Sequence, residues 1–148
     1  MVKYDYFIGG RWRNHKAIEH VMESVRGAGK TAYCFIENTY DSDGISIDES
    51  SDVEASMQGL EALADWRTNP TFRQIFDNDM NGIRESEEFI IVFPAGKSAH
   101  MELGAAYGMG KKCYGIGEIE KNETLYLMMD EIYPDVEAFV KDRIDEEQ

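Results

Sequence analysis

FIIVFPAGKSAHMELGAAYGMGKKCYGIG, running from Phe89 to Gly117, is the stretch on which the fold turns. Phe89–Phe93 is a continuous apolar run, rich in β-branched and aromatic residues, and predicts a central strand covered on both faces. Pro94, Ala95, Gly96 and Lys97 form a turn, and Ser98 is a good N-cap. A helix is expected from there to about Met109, with Gly110 as its stop. Lys112–Ile116 follows as a short strand. Strand, helix and strand in this order make a crossover unit whose two strands run parallel.

The same grammar extends in both directions. Tyr4–Ile8 reads as a strand ending in a Gly9-Gly10 turn. Ile18, Val21, Met22, Val25 and Ala28 recur at helical spacing, with Gly29 as C-cap, and Thr31–Ile36 is a second buried strand. Asn38–Asp52 is polar and acidic and is expected to be a long exposed loop, the kind that often serves as a lid or binding loop. Val53–Trp66 and Phe72–Ser86 have helical spacing, the latter through Phe72, Ile75, Phe76, Met80 and Ile83. A last short strand is expected near Leu125–Met128 and a closing helix over Asp135–Ile144. The alternation predicts one α/β domain over residues 1–148, three-layered and flavodoxin/Rossmann-like, with a parallel sheet of four or five strands.

Charge narrows the partners. The 148 residues carry 15 basic and 29 acidic side chains, a formal charge of −14. Binding to a nucleic-acid polymer depends on Lys and Arg displacing counterions from phosphates, so that class is excluded, as are anionic membranes. No apolar run approaches the ~20 residues that span a bilayer, and the N-terminus lacks a signal-peptide core, so a cytoplasmic protein is expected. Cys34 and Cys113 lie in apolar runs and read as buried reduced thiols; three scattered His give no metal-ligand spacing. No metal and no cofactor are expected. The charge is uneven: Met1–Lys30 has six basic and three acidic residues, whereas Thr31–Trp66 has nine acids and no base. A small anion could therefore bind at the basic N-terminal segment.

Ligands of open parallel sheets bind beyond the carboxyl ends of the strands. Three segments leave such ends: Gly9–Asn14, the acidic loop, and Pro94–Glu102. In the first, Gly9 and Gly10 allow close backbone approach to a phosphate, and Arg11 and Arg13 could clamp it; a tight turn with solvated arginines is the alternative. Trp12 could stack on a base or belong to the core. In the third, Glu102 is placed in the first helical turn, where it would complement the helix dipole. Leu103, Gly104, Ala105 and Ala106 suggest close packing on the sheet, which would set the carboxylate at a pocket and suit a nucleophile or base.

The run MELGAAYGMGKK (Met101–Lys112), following a hydrophobic strand and a small-residue turn, resembles the E-L-G-x-A segment of the nucleoside 2-deoxyribosyltransferase superfamily, which includes deoxynucleoside 5′-phosphate N-glycosidases. The opening YFIGG (Tyr6–Gly10) and the acidic stretch FDNDMNGIRESE (Phe76–Glu87) match in order, and the GKSAH spelling is similar to a group of small members. The resemblance implies a carboxylate, Glu102, that attacks C1′ of the sugar. It implies that Asp79, or alternatively Asp77, contacts or protonates the base, and that Gly9, Gly10, Arg11 and Arg13 form the loop that cradles sugar and 5′-phosphate. Ser98 is a phosphate or sugar ligand or an N-cap, and His100 a phosphate or base contact or a surface residue. Lys97 and His100 stand in the Pro94–Met101 turn, where the transferases often carry another acid, which favours an anionic substrate. The expected partner is a small nucleoside or nucleotide, and the expected assembly a homodimer or larger. Alternatives are a Toll/interleukin-receptor-type NAD glycohydrolase, a nucleotide-sensing module without catalysis, and a flavodoxin-like electron carrier, against which the Glu102 segment speaks.

Overall fold

The computed structural model describes residues 2–38, 40–42, 45–47 and 64–145. Its centre is β5 (Ser86–Val92), flanked by β1 (Tyr4–Gly9) and β6 (Lys112–Ile116), with β2 (Ala32–Cys34) and β7 (Glu131–Tyr133) at the edges. The order is β2-β1-β5-β6-β7, and every neighbouring pair is parallel. Side chains alternate across a strand, so a continuous apolar strand feeds two cores. Ile8, Ile90 and Tyr114 face a core closed by α1 (His15–Gly27) and α4 (Val136–Phe139). Phe7, Phe89, Ile91 and Cys113 face the opposite core, closed by α2 (Pro70–Arg84) and α3 (Lys97–Gly108). This is the three-layer α/β domain expected, with five parallel strands.

Several boundaries differ for local physical reasons. Helix α2 begins at Pro70, two residues before Phe72, because the Asn69 side chain accepts hydrogen bonds from Thr71 N at 2.9 Å and Phe72 N at 3.2 Å, and proline is pre-set for the first helical position. Helix α3 begins at Lys97 with Gly96 in the capping position, so Ser98 lies inside the helix rather than capping it. Thr124–Met128 is a 3-10 turn, not a strand: Glu123 accepts from Leu125 N at 2.7 Å and starts the turn, and Leu127 is 88% exposed. The last strand is instead Glu131–Tyr133, in register with Tyr114–Ile116. The closing helix is α4, capped by Asp135, continued by a π-helical turn over Val140–Asp145. Within the expected acidic loop, β3 (Tyr40–Ser42) and β4 (Ile45–Ile47) pair antiparallel. Most of the helix expected over Val53–Trp66 lies outside the described residues; its last residues belong to a turn leading into α2.

Both cysteines are free and buried, and burial pushes each thiol up to about 12. Among the described residues no helix is long and apolar enough to cross a membrane, and no group of three His, Cys, Asp or Glu side chains is placed to hold a metal ion. Gly117, which ends β6, adopts a φ of +113°, and a Cβ there would stand 2.6 Å from the Phe93 carbonyl oxygen. Both the backbone conformation and the contact exclude a side chain. Gly117→Ala is therefore expected to destabilise the domain by about 1–3 kcal/mol, read as a lowered midpoint in urea unfolding; an unchanged midpoint would refute this.

Candidate active site

The sheet changes direction between β1 and β5. The chain leaves β1 for β2 on one side and returns to β5 on the other, so the connections leaving β1 and β5 diverge and open a crevice at their carboxyl ends. Gly9, the last residue of β1, lies opposite Ile91 in that crevice. A Cβ at Gly9 would stand 3.1 Å from Oε1 of Glu102, so the carboxyl rests on a glycine that leaves it room. Gly10 is closely packed as well. A Cβ there would meet Ile18 Cδ1 at 2.7 Å, so its lack of a side chain lets α1 close onto the turn.

Glu102 is the sixth residue of α3, in its second turn rather than the first. Dipole complementation fades within the first turn and does not account for an acid here. Ala99, Leu103 and Ala106 bury the sheet-facing side of the helix, whereas Gly104 faces open space. The Glu102 carboxyl is held between α3 and α2, beside the carboxyl of Asp79, and the two act on each other electrostatically. Two neighbouring carboxyl groups resist ionising together, because each charge disfavours the other. Burial raises the Glu102 carboxyl well above the ordinary carboxylate range, and the charge of Asp79 raises it further. Burial also pushes Asp79 up to about 6. Asp77, two residues away, instead pairs with Arg73 at 3.4 Å on the exposed side of α2. The acid that meets Glu102 is Asp79.

Other expected residues are distributed differently. Successive helical residues are rotated by about 100°, so His100 leaves α3 on another flank from Glu102. Its Nδ1 lies 2.6 Å from the Gly96 carbonyl oxygen and its Nε2 2.7 Å from the Tyr126 hydroxyl. A carbonyl only accepts, so Nδ1 carries the hydrogen, and Nε2 and the Tyr126 hydroxyl share the second hydrogen bond. Both ring nitrogens of His100 are engaged within the protein. No spacing in the sequence connects Tyr126 to it, because the two are 26 residues apart and meet only through the fold.

His100 and Tyr126 line a cleft of about 340 Å³ together with Arg11, Phe93 and the 118–121 segment. The cleft is mixed in charge: Arg11 and Lys121 face it, but so do Glu118 and Glu120. Arg11 is exposed, packs along Gly96, and has no ion-pair partner among the described residues. Lys97 and Ser98 are exposed, and neither they nor the half-buried Arg13 belong to the lining. Trp12 is core: it is 5% exposed, stacked on His15 and tilted against Phe35.

No family model matches the sequence, and no curated protein does. In three dimensions, 95% of the chain superposes on 93% of a 2-deoxyribosyltransferase from the psychrotolerant bacterium Bacillus psychrosaccharolyticus, with a TM-score of 0.61 and 15% identity. The chain shares the 2-deoxyribosyltransferase fold. The match spans almost all of both chains, so the fold extends well beyond the Glu102 segment that carries the resemblance in sequence.

Proposed function

We propose that this chain cleaves or transfers the N-glycosidic bond of a nucleoside or nucleoside 5′-monophosphate, with Glu102 acting at C1′ and Asp79 serving the departing base. The observation that carries this reading is the Glu102–Asp79 pair, two neighbouring carboxyl groups, with Glu102 resting on Gly9 at the point where the strand order reverses. The solved relative's description as a 2-deoxyribosyltransferase supports the same bond type.

Breaking the bond builds positive charge on the sugar and leaves a base that needs a proton. One carboxylate and one carboxylic acid meet both demands, as in retaining glycosidases. In the reactive arrangement Asp79 holds a proton and Glu102 is ionised. A Glu102 oxygen forms a bond to C1′ while the C1′–N bond breaks; its electron pair leaves with the base, which takes the Asp79 proton. Water then attacks C1′, the C1′–O bond to Glu102 breaks with its electron pair returning to the carboxylate, and Asp79 takes the proton the water loses, which completes hydrolysis; a second base that attacks through nitrogen and gives its proton to Asp79 completes transfer.

The test is to incubate the protein with nucleosides, nucleoside 5′-monophosphates and NAD and to follow released base by chromatography. Release from the first two classes supports the proposal; release from NAD alone, or from none, refutes it. Arg11 supports an anionic substrate, since it is a guanidinium on the loop leaving β1 with no ion-pair partner among the described residues. Arg11→Ala is expected to lower kcat/KM for phosphorylated substrates by about tenfold and to spare neutral nucleosides; equal loss on both would contradict a phosphate role.

A further inference from the structure

The carboxyl pair is only as good as the spacing between α2 and α3, and the structure contains a device that sets it. Gly82 lies three residues after Asp79, on the same face of α2. A Cβ at Gly82 would stand 2.8 Å from both Cδ1 and Cε1 of Tyr33 and 3.1 Å from Cε2 of Phe7, where ordinary contact begins at 3.4 Å. Those rings are held firmly. Tyr33 stacks on Phe7 at 5.3 Å, meets Tyr4 edge-on at 5.7 Å, and its hydroxyl accepts a hydrogen bond from Asn38 Nδ2 at 2.8 Å. Phe7 stacks in turn on Phe89 at 5.3 Å.

The same column bounds the other half of the site. A Cβ at Gly9 would stand 3.3 Å from Phe7 Cε1 and from Phe89 Cζ, besides its approach to Glu102. One stack, Tyr33–Phe7–Phe89, thus supports Gly82 and hence Asp79 at one end, and Gly9 and hence the place of Glu102 at the other. The end of α2 is also tied down, because Ser86 Oγ donates to the Gly82 carbonyl at 2.7 Å.

We propose that Gly82 and Tyr33 are positioning residues: the bare glycine seats α2 on the aromatic column and so fixes the distance at which Asp79 meets Glu102. The consequence for catalysis rests on the N-glycosidic reading above; the consequence for the carboxyl pair does not.

The test compares wild type, Gly82→Ala, the double variant Gly82→Ala/Tyr33→Ala, and Gly27→Ala, whose added methyl meets open space. The first readout is the titration of carboxyl-13C-labelled Glu102 and Asp79 by NMR, which requires no substrate. In Gly82→Ala the lifted helix separates the carboxyl groups, so the titration of Glu102 is expected to move down toward the ordinary range. Removing the Tyr33 ring in the double variant makes room for the methyl and should return it toward the wild-type value. Gly27→Ala should not shift it. The second readout is base release, expected to fall about ten- to a hundredfold in kcat for Gly82→Ala with KM little changed. A wild-type titration in Gly82→Ala overturns the seat whatever the activity. An altered titration in a protein with no base release from any substrate upholds the seat and refutes only the reaction. If Gly82→Ala fails to fold, a folded double variant with wild-type titration supports the proposal, and an unfolded double variant overturns it.

Discussion

Replacing Glu102 by glutamine is expected to abolish base release, lowering kcat by at least about a thousandfold. The amide has nearly the volume of the carboxyl and can donate to Asp79, so the approach of α2 and α3 and the contact over Gly9 survive. What is lost is the one feature a nucleophile requires, an oxygen that is anionic while Asp79 holds a proton. A drop in kcat with KM little altered, in a variant of unchanged circular dichroism, is the outcome this predicts. Asp79→Asn should behave differently. It leaves attack at C1′ possible and removes the proton donor, so its defect should shrink for substrates whose base departs without protonation. Activity within about tenfold of wild type in Glu102→Gln would remove Glu102 from the reaction, since nucleophile deletions elsewhere cost several orders of magnitude.

The frame of this site is legible in the sequence, but its partners are not. Strand β5 and helix α3 can be read because an unbroken apolar run and a small-residue helix are local signals, and Glu102 is visible because of the residues around it. The start of α2 is also within reach: Asn69-Pro70 is a capping pair whose meaning is local, although hydrophobic spacing alone points to Phe72. What escapes depends on contact between distant segments. Asp77 and Asp79 are equivalent in composition, and only the packing of α2 sends one toward Glu102 and the other toward Arg73. The His100–Tyr126 bond joins α3 to a 3-10 turn that, read by its apolar content, resembles a strand. The sharing of one cleft by Arg11, Glu118 and Glu120 is likewise invisible in the sequence, since more than a hundred residues separate Arg11 from the two acids and only the fold brings them together. The space where a side chain at Gly10 would stand is taken by Ile18, a contact that no local signal announces.

The carboxyl pair should also make the protein less stable as pH rises, and the variant that destroys activity should gain stability. Both carboxyls titrate higher when folded than when unfolded, chiefly through burial. The folded state therefore binds protons that the unfolded chain has released, and under the linkage relation stability falls with pH wherever the native state holds more protons. The contribution is complete below the unfolded value near 4. It is lost as pH rises through the folded values, past about 6 for Asp79 and onward for Glu102. Across that window the loss is expected to be on the order of 1–3 kcal/mol, a shift of several degrees in Tm for a domain of this size. In Glu102→Gln one of the two groups no longer ionises and Asp79 no longer faces a like charge. The melting temperature at pH 7–8 should then exceed that of the wild type, and its dependence on pH should flatten. The same window governs the proposed reaction. Catalysis needs one proton on the pair, so activity should rise as the first carboxyl ionises and fall as the second does, with both limbs displaced upward from pH 4. A wild-type Tm that is level or rises between pH 5 and 8 relative to Glu102→Gln would show that the two carboxyls do not hold protons beyond the ordinary carboxylate range, and would remove the physical basis for dividing acid and nucleophile between them.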